Sequence, residues 1–260
     1  MQVNANGVNL WVQDDGRGQE VLLIHGLGTS QELWDDLTPL LTARQRVIRF
    51  DLRGFGRSAS AADGQASFGQ WARDAKAVLD ARGAKSAFVV GHGVGAAVAL
   101  EMALNFPQLT RGVVAVGGLV QVPPPAIVGF RQQIEAAERQ GMAAVVALMK
   151  PTLASDTRSD IFDRYQKLLL ATQAASYARG GRALMQSLLP DRLADVAKPT
   201  LVIVGQNDPI APPLAAREIE EAISGARITT VPGMGHLIPW EAPGELARLI
   251  GEFTASAGRF

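Results

Sequence analysis

The 260-residue chain is electrically balanced, with 25 basic and 25 acidic side chains, and 47% of its residues are hydrophobic. This composition is typical of one large globular domain, and the absence of any basic run argues against nucleic acid or an anionic membrane as a partner. No cysteine is present, which excludes disulfides, thiolate nucleophiles and cysteine-ligated metals. Because we find neither a signal-peptide pattern nor an apolar run long enough to cross a bilayer, we expect a soluble, cytoplasmic protein.

The first half of the chain alternates apolar strands with amphipathic helices. Asn6-Gly7 separates two short β-like runs and predicts a tight hairpin turn. Further strands are predicted at "EVLLIHG", 46–51, "SAFVVG" and "GVVAVGG", and helices at 31–43, 67–82 and "VGAAVALEMALNF". This alternation predicts an α/β fold with a mostly parallel central sheet, flanked by helices and joined by right-handed crossovers.

The middle of the chain departs from this alternation. After "VQVPPPA", residues 126–189 carry apolar positions at helical spacing and no strand pattern. Strands return at "PTLVIVG" and 226–232, and a final helix is predicted over 241–255. We therefore expect a core of residues 1–119 and 191–260, with a helical cap of residues 120–190 inserted after the sixth strand.

Four short motifs follow predicted strands. The stretch "GHGVG" at 91–95 forms a sharp strand-to-helix turn, where the start of a helix directs free N–H groups at whatever lies above it. A second glycine-rich turn, "HGLG", lies at 25–28, and Asp208 follows a buried strand in "VGQNDPIAPP". His236 lies in the glycine-rich loop "VPGMGHLIPWEAP" before the last helix. Together these motifs predict a site around the strand-to-helix turn at 91–95.

The order of these motifs resembles that of the α/β-hydrolase superfamily, over essentially the whole chain and including the stretch "DLRGFGRS". In general character the chain is most similar to small serine esterases and lactonases, including the enol-lactonase group. The resemblance implies Asp208 as the acid, His236 as the base, and the N–H groups of Leu27 and Val94 as an oxyanion hole. It also implies a serine at the centre of the nucleophile elbow, and this chain has Gly93 there.

The other histidines, possible cofactors and the pocket residues complete the predicted site. Of the three histidines, His25 and His92 adjoin strand ends and are attributed to packing, which leaves His236 as the base. No metal-ligand spacing, phosphate loop or dinucleotide fingerprint is present, so no cofactor is expected. The cap cations Arg131, Arg164 and Lys167 could serve an anionic substrate, but we interpret them as a solvated helix face. The residues expected to line the substrate pocket are Gly26, His92, Trp34 and Leu237.

Gly93 leaves three functions open. The interpretation we favour is a carboxylic ester or lactone hydrolase that lacks its nucleophile and holds a small, apolar substrate without turnover, because every other part of the triad is present. Alternatively, His236 and Asp208 act as a general-base dyad, as in a lyase, a cofactor-free oxygenase or a water-activating hydrolase. The third function is a non-catalytic ligand-binding or receptor protein. The sequence is also compatible with a homodimer.

Overall fold

The computed structural model describes residues 1–60, 66–153 and 159–257. Within these residues one sheet contains eight strands in the order β1-β2-β4-β3-β5-β6-β7-β8. Strand β2 is antiparallel to β1 and β4, and the remaining neighbours are parallel, which confirms the mostly parallel sheet. The strands are β1 Gln2–Ala5, β2 Val8–Gly16, β3 Gln19–Ile24, β4 Gln45–Phe50, β5 Ala87–His92, β6 Thr110–Val116, β7 Thr200–Gly205 and β8 Arg227–Val231.

The helices cover both faces of this sheet. They are α1 Thr38–Leu41, α2 Phe68–Ala81, α3 Val94–Asn105, α4 Ile127–Gln140, α5 Met142–Leu153, α6 Ser159–Ala171, α7 Ala174–Met185, α8 Pro213–Ala222, α9 Ile238–Glu241 and α10 Pro243–Ala257. Helices α4–α7, hereafter the cap helices, lie between β6 and β7, in the segment for which the sequence predicts a cap. No helix among the described residues is both long and apolar enough to span a membrane.

The hydrophobic core is divided by the sheet. Helices α2, α3 and α8 contribute to one apolar cluster, while α1, α10 and most buried residues of the cap helices contribute to the other. Strands β5 and β7 are buried at every position. A strand covered on both faces has no solvent side, which explains why these two segments are continuously apolar instead of alternating.

The predicted hairpin is present at the start of the chain. Ala5 pairs with Val8, and the two residues between them have positive φ angles, 50° for Asn6 and 81° for Gly7. Both angles are those of a two-residue turn whose twist matches that of the flanking strands, and Asn-Gly is the preferred dipeptide for it.

The continuous helix predicted over 31–43 is wrong. The structure has a 3₁₀ helix at Gln31–Trp34 and a separate, single-turn α1 beginning at Thr38. Pro39 has no N–H group to donate to an earlier carbonyl, so it is tolerated in the first turn of α1 but not inside a longer helix. Leu40, one of the apolar residues at helical spacing in this segment, is half-exposed.

The sequence pattern does not predict helix α8. Its only fully buried positions are Ala216 and Ile219, and the second of these is the only large apolar side chain on its inner face. Leu214, the other leucine-sized residue, is exposed. A helix that buries one alanine and one isoleucine leaves a weak periodic pattern in the sequence.

A buried ion pair connects α2 to the loop after β4. Arg53 donates to both carboxylate oxygens of Asp74, at 2.5 and 2.6 Å, and Asn6 donates to Asp74 Oδ1 at 2.8 Å. Asp74→Ala would leave the buried Arg53 guanidinium uncompensated, so we expect a loss of about 3–5 kcal/mol in the free energy of unfolding, measured with urea. The matched control is Asp80→Ala on the same helix, which breaks an exposed pair with Lys76 and should cost less than about 1 kcal/mol. Equal losses in the two variants would contradict the prediction.

Candidate active site

The four motifs meet at one edge of the sheet. The glycine-rich turn at 25–28 follows β3, the turn at 91–95 follows β5, Asp208 follows β7, and His236 follows β8. These four strands are parallel, so their carboxyl ends lie along the same edge, which is where open α/β sheets bind their ligands.

Gly93 forms the tip of the strand-to-helix turn. Its backbone has φ 54° and ψ −118°, a conformation that costs any residue with a β-carbon roughly 1–3 kcal/mol and glycine very little. The surrounding backbone fixes this geometry: the Gly93 N–H donates to the Val116 carbonyl at 3.0 Å, and the Gly93 carbonyl accepts from Ala96 and Leu119. The turn therefore has the shape of a nucleophile elbow without a side chain at its centre.

The flanking glycines are required by close packing. A β-carbon on Gly91 would lie 2.0 Å from the Gly95 carbonyl oxygen, and one on Gly95 would lie 2.3 Å from the Ile24 carbonyl oxygen. Contacts that short are impossible for carbon and oxygen, so no other residue fits at either position without moving the backbone. Because neither residue has a side chain, the start of α3 packs directly against the end of β3.

Asp208 and His236 form a buried, directly bonded pair. His236 Nδ1 donates to Asp208 Oδ2 at 2.8 Å, while Asp208 Oδ1 accepts from the backbone N–H groups of Ile210 and Ala211, both at 2.8 Å. With both carboxylate oxygens engaged, Asp208 holds the imidazole ring in one orientation and one tautomer. His236 Nε2 is left as the basic nitrogen, and it has no hydrogen-bond partner among the described residues.

A second carboxylate holds the loop that carries His236. Glu241 accepts from the backbone N–H of Gly235 at 2.5 Å and from that of Leu237 at 2.8 Å, so it bonds to the residues on both sides of His236. Sequence reasoning missed this role. The signal is a glutamate five residues after the histidine, at the end of the single-turn α9.

The space above Gly93 would accommodate a serine side chain. A β-carbon placed on Gly93 has only two heavy atoms within 4 Å, Gly26 Cα and His236 Nε2, each at 3.8 Å. Both distances are ordinary van der Waals contacts. A hydroxyl one bond beyond that β-carbon would be within hydrogen-bond reach of Nε2, so the base faces the position at which a nucleophile would stand.

Two backbone N–H groups adjoin the same space. Leu27 and Val94, the predicted oxyanion donors, both line the cavity over Gly93. Neither N–H donates to a protein acceptor in the ranges the structure describes. Val94 is the first residue of α3, so its N–H lies at the positive end of the helix dipole and is suited to an oxygen that gains negative charge.

The other two histidines are neutral structural groups. His92 Nε2 donates to the backbone carbonyl of His236 at 2.9 Å, and burial, reinforced by the neighbouring His236 ring, lowers the pKa of His92 to about 3. His25 Nε2 accepts from the Leu52 N–H at 2.9 Å, and burial likewise lowers the pKa of His25. Both imidazoles are thus engaged in structural hydrogen bonds, and burial favours the neutral form of each.

The depressed pKa of His92 predicts that acid destabilises the fold. In the unfolded chain this imidazole binds a proton below its ordinary pKa of 6.5, whereas in the folded chain it stays neutral down to a pKa of about 3. Stability is therefore full above pH 6.5 and falls as the pH drops from 6.5 toward 3. The loss reaches about 2 kcal/mol from this one group at pH 5.

The measurement is the free energy of unfolding in urea at pH 7.5 and pH 5, for the unmodified chain and for His92→Gln. Glutamine retains an N–H donor for the His236 carbonyl but does not titrate, so the difference between the two pH values should shrink by about 2 kcal/mol in the variant. An undiminished difference would show that another group causes the acid sensitivity.

A cavity of about 310 Å³ lies between the sheet edge and the cap helices. Gly26 and His92 line it, together with Gly93 and His236. Trp34 and Leu237, both expected at the pocket wall, are fully buried and are not among its lining residues. The Trp34 ring packs edge-on against the His92 ring, with their centroids 6.4 Å apart, and Leu237 belongs to the apolar core beneath the site.

The cap helices supply a wall that the sequence did not identify residue by residue. Tyr177 donates its hydroxyl proton to Gln133 Oε1 at 3.0 Å, which joins α7 to α4 inside the cavity. Apolar spacing placed several of these residues in the cap, but it could not tell which of them face the cavity. The lining residues from the cap helices include Phe130, Gln133, Met149, Tyr165, Tyr177 and Leu184.

Comparison with known proteins identifies the family and the fold. The sequence profile of the alpha/beta hydrolase family matches residues 21–249 of this chain. The chain is 28% identical to a 2-hydroxymuconate semialdehyde hydrolase of Pseudomonas sp. strain CF600, over 98% of this chain and 94% of that protein. It is also 28% identical to a rhodomycin D methylesterase of Streptomyces sp. strain C5, over 98% of both chains. Among solved structures, an enol-lactonase from Burkholderia xenovorans LB400 superposes with a TM-score of 0.90 at 22% identity, over 98% of this chain and all of that one.

Proposed function

Because the chain belongs to the alpha/beta hydrolase family, we propose that its site is that of a carboxylic ester or lactone hydrolase in which glycine occupies the nucleophile position. One observation carries the proposal. A β-carbon at residue 93 would stand 3.8 Å from His236 Nε2, in otherwise open space. Relatives that match nearly the whole chain include a hydrolase and a methylesterase, which supports acyl chemistry at this site.

The remaining groups have defined roles in such a reaction. The ester carbonyl oxygen would point at the N–H groups of Leu27 and Val94, and His236 would take the proton of the attacking hydroxyl while Asp208 stabilises the imidazolium. In this chain Gly93 supplies no hydroxyl, so no acyl-enzyme can form at residue 93. The bound ester or lactone stays intact or reacts slowly.

The test compares the unmodified chain with Gly93→Ser on a panel of activated esters and lactones. Turnover that the serine variant gains and the glycine chain lacks supports the proposal and identifies the substrate class. If neither form hydrolyses any member of the panel, the proposal is wrong, and binding without turnover would then indicate a ligand-binding protein.

The cytoplasmic location and the homodimer stay predictions.

A second function is favoured by the unpartnered Nε2 of His236. With no serine before it, this nitrogen faces the cavity directly and could take a proton from a water molecule or from an acidic C–H of a ligand. In that case the unmodified glycine chain would be active, and His236→Gln would abolish its activity without any change at residue 93. Activity confined to the Gly93→Ser form would exclude this second function.

A further inference from the structure

Apart from His236, the cavity over Gly93 has an electrically neutral wall. Among the described residues that line it, none is an aspartate, glutamate, lysine or arginine. Tyr165 and Tyr177 line the cavity with protonated phenols, because burial raises the pKa of both. His92 is neutral as well. A charged group on a ligand would therefore lose its hydration and find no opposite charge in this part of the wall.

The three cap cations considered in the sequence analysis do not line the cavity. Arg164 pairs with Asp36 at 2.6 Å, and its guanidinium lies 4.6 Å from the centre of the Trp240 ring. Arg131 and Lys167 are exposed, and neither is among the lining residues of the cavity. Arg131 and Lys167 are therefore solvent-exposed, whereas Arg164 is held by Asp36 and Trp240.

One polar group of the cap stands out. Gln133 lines the cavity and accepts the Tyr177 hydroxyl proton through Oε1 at 3.0 Å. This bond directs the other end of the amide, Nε2, away from Tyr177, and in the described parts of the chain Nε2 has no hydrogen-bond partner. A half-buried amide that is oriented by a tyrosine and retains two free N–H groups is suited to bind an acceptor oxygen.

We propose that the cavity selects uncharged ligands that carry a second acceptor oxygen (a ketone, ether or ester oxygen), which Gln133 Nε2 binds, and that it rejects carboxylated ones. The assumption that the ligand also carries a reacting carbonyl rests on the proposed ester or lactone hydrolysis. The preference for an uncharged ligand with an acceptor oxygen rests only on the neutral wall and the Gln133–Tyr177 pair. The cavity volume of about 310 Å³ lies at the small end of ligand sites, so the ligand is compact.

The first test uses Gly93→Ser and three p-nitrophenyl esters of equal chain length: pentanoate, 4-oxopentanoate and the glutarate monoester. The ketone ester should have a kcat/KM about tenfold above that of the pentanoate, because one more hydrogen bond is made. The glutarate monoester should fall about 100-fold or more below the pentanoate, because its carboxylate enters unpaired. Similar rates for all three esters would overturn the inference while leaving ester hydrolysis established.

Two substitutions at Gln133 distinguish binding by the amide from simple steric fit. In Gly93→Ser/Gln133→Leu the preference for the ketone ester over the pentanoate should fall from about tenfold to about one, because leucine has a similar size and no N–H. In Gly93→Ser/Gln133→Lys the discrimination against the glutarate monoester should shrink by about tenfold or more, because its carboxylate gains a partner. Ratios that do not move in either variant would overturn the role of Gln133.

A binding measurement keeps the inference independent of turnover. Methyl 4-oxopentanoate, methyl pentanoate and monomethyl glutarate are titrated into the unmodified glycine chain and into Gln133→Leu, followed by ligand-observed NMR. Tighter binding of the keto ester that Gln133→Leu removes would support the inference even if Gly93→Ser hydrolyses nothing and the proposed function fails. Equal or tighter binding of the glutarate, or no binding of any probe, would overturn it.

Discussion

Gly93→Ser is expected to raise the hydrolysis of an accepted ester or lactone by a factor on the order of 10³ to 10⁶. Loss of the nucleophile in other triad enzymes costs about 10⁶ in turnover, and the residual catalysis comes from the oxyanion hole and binding. The serine would stand where His236 Nε2 can take its proton, because that nitrogen lies 3.8 Å from the position of a β-carbon at residue 93. The same variant should lose about 1–3 kcal/mol of stability, because φ at residue 93 is 54°.

The measurement is the rate of p-nitrophenol release, with an initial burst equal to the enzyme concentration where deacylation limits turnover. A fluorophosphonate should label Gly93→Ser at residue 93, as detected by peptide mass spectrometry. Gly93→Ala is the matched control, since it carries the same backbone strain and no hydroxyl, and it should show neither turnover nor labelling. Turnover in Gly93→Ala equal to that in Gly93→Ser would contradict nucleophilic catalysis at this position.

Asp208→Asn, introduced into the Gly93→Ser form, should lower kcat by about 10⁴-fold. The asparagine oxygen is expected at the Oδ1 position, because it must accept from the N–H groups of Ile210 and Ala211. The amide nitrogen then faces His236 Nδ1 and donates to it, so the imidazole proton moves to Nε2. In that tautomer His236 cannot accept the hydroxyl proton, although the ring stays in place.

The outcome is measured as kcat and KM for the best substrate of the Gly93→Ser form. The fall should lie in kcat with little change in KM, because the acid does not contact the substrate. Asp195→Asn is the control: this exposed carboxylate precedes β7 and should leave both constants within about twofold. A decrease of less than about tenfold for Asp208→Asn would mean that the orientation of His236 does not depend on this carboxylate.

The sequence by itself determined the local structure and pointed to the candidate site residues. Asn6-Gly7 specified the hairpin turn, and the glycines at 91 and 95 specified the sharp entry into α3. These features depend on backbone sterics within a few residues, so they can be read from a short stretch of sequence. The alternation of strands and helices then placed the motifs at the carboxyl ends of parallel strands.

Helix breaks, and helices that bury few large apolar side chains, are poorly marked by apolar spacing. The apolar spacing of 31–43 suited one helix, yet Pro39 and the packing of Trp34 beneath the site divided it into two short elements. Helix α8 was missed because few large side chains mark its buried face. In both cases apolar spacing alone was an incomplete guide to where a helix begins and ends.

Only the tertiary structure decided which side chains reach the cavity. Trp34 and Leu237 are close to the site motifs in sequence but do not line the cavity. Gln133 and Tyr177, far away in sequence, form part of its wall. Contacts between distant segments are set by how the helices pack over the sheet. Apolar periodicity predicts which face of a helix is buried, but it does not predict which other segment that face contacts. The sequence thus determined that residue 93 has no hydroxyl group. The fold determined that His236, the backbone N–H groups of Leu27 and Val94, and enough open space for a serine side chain surround residue 93.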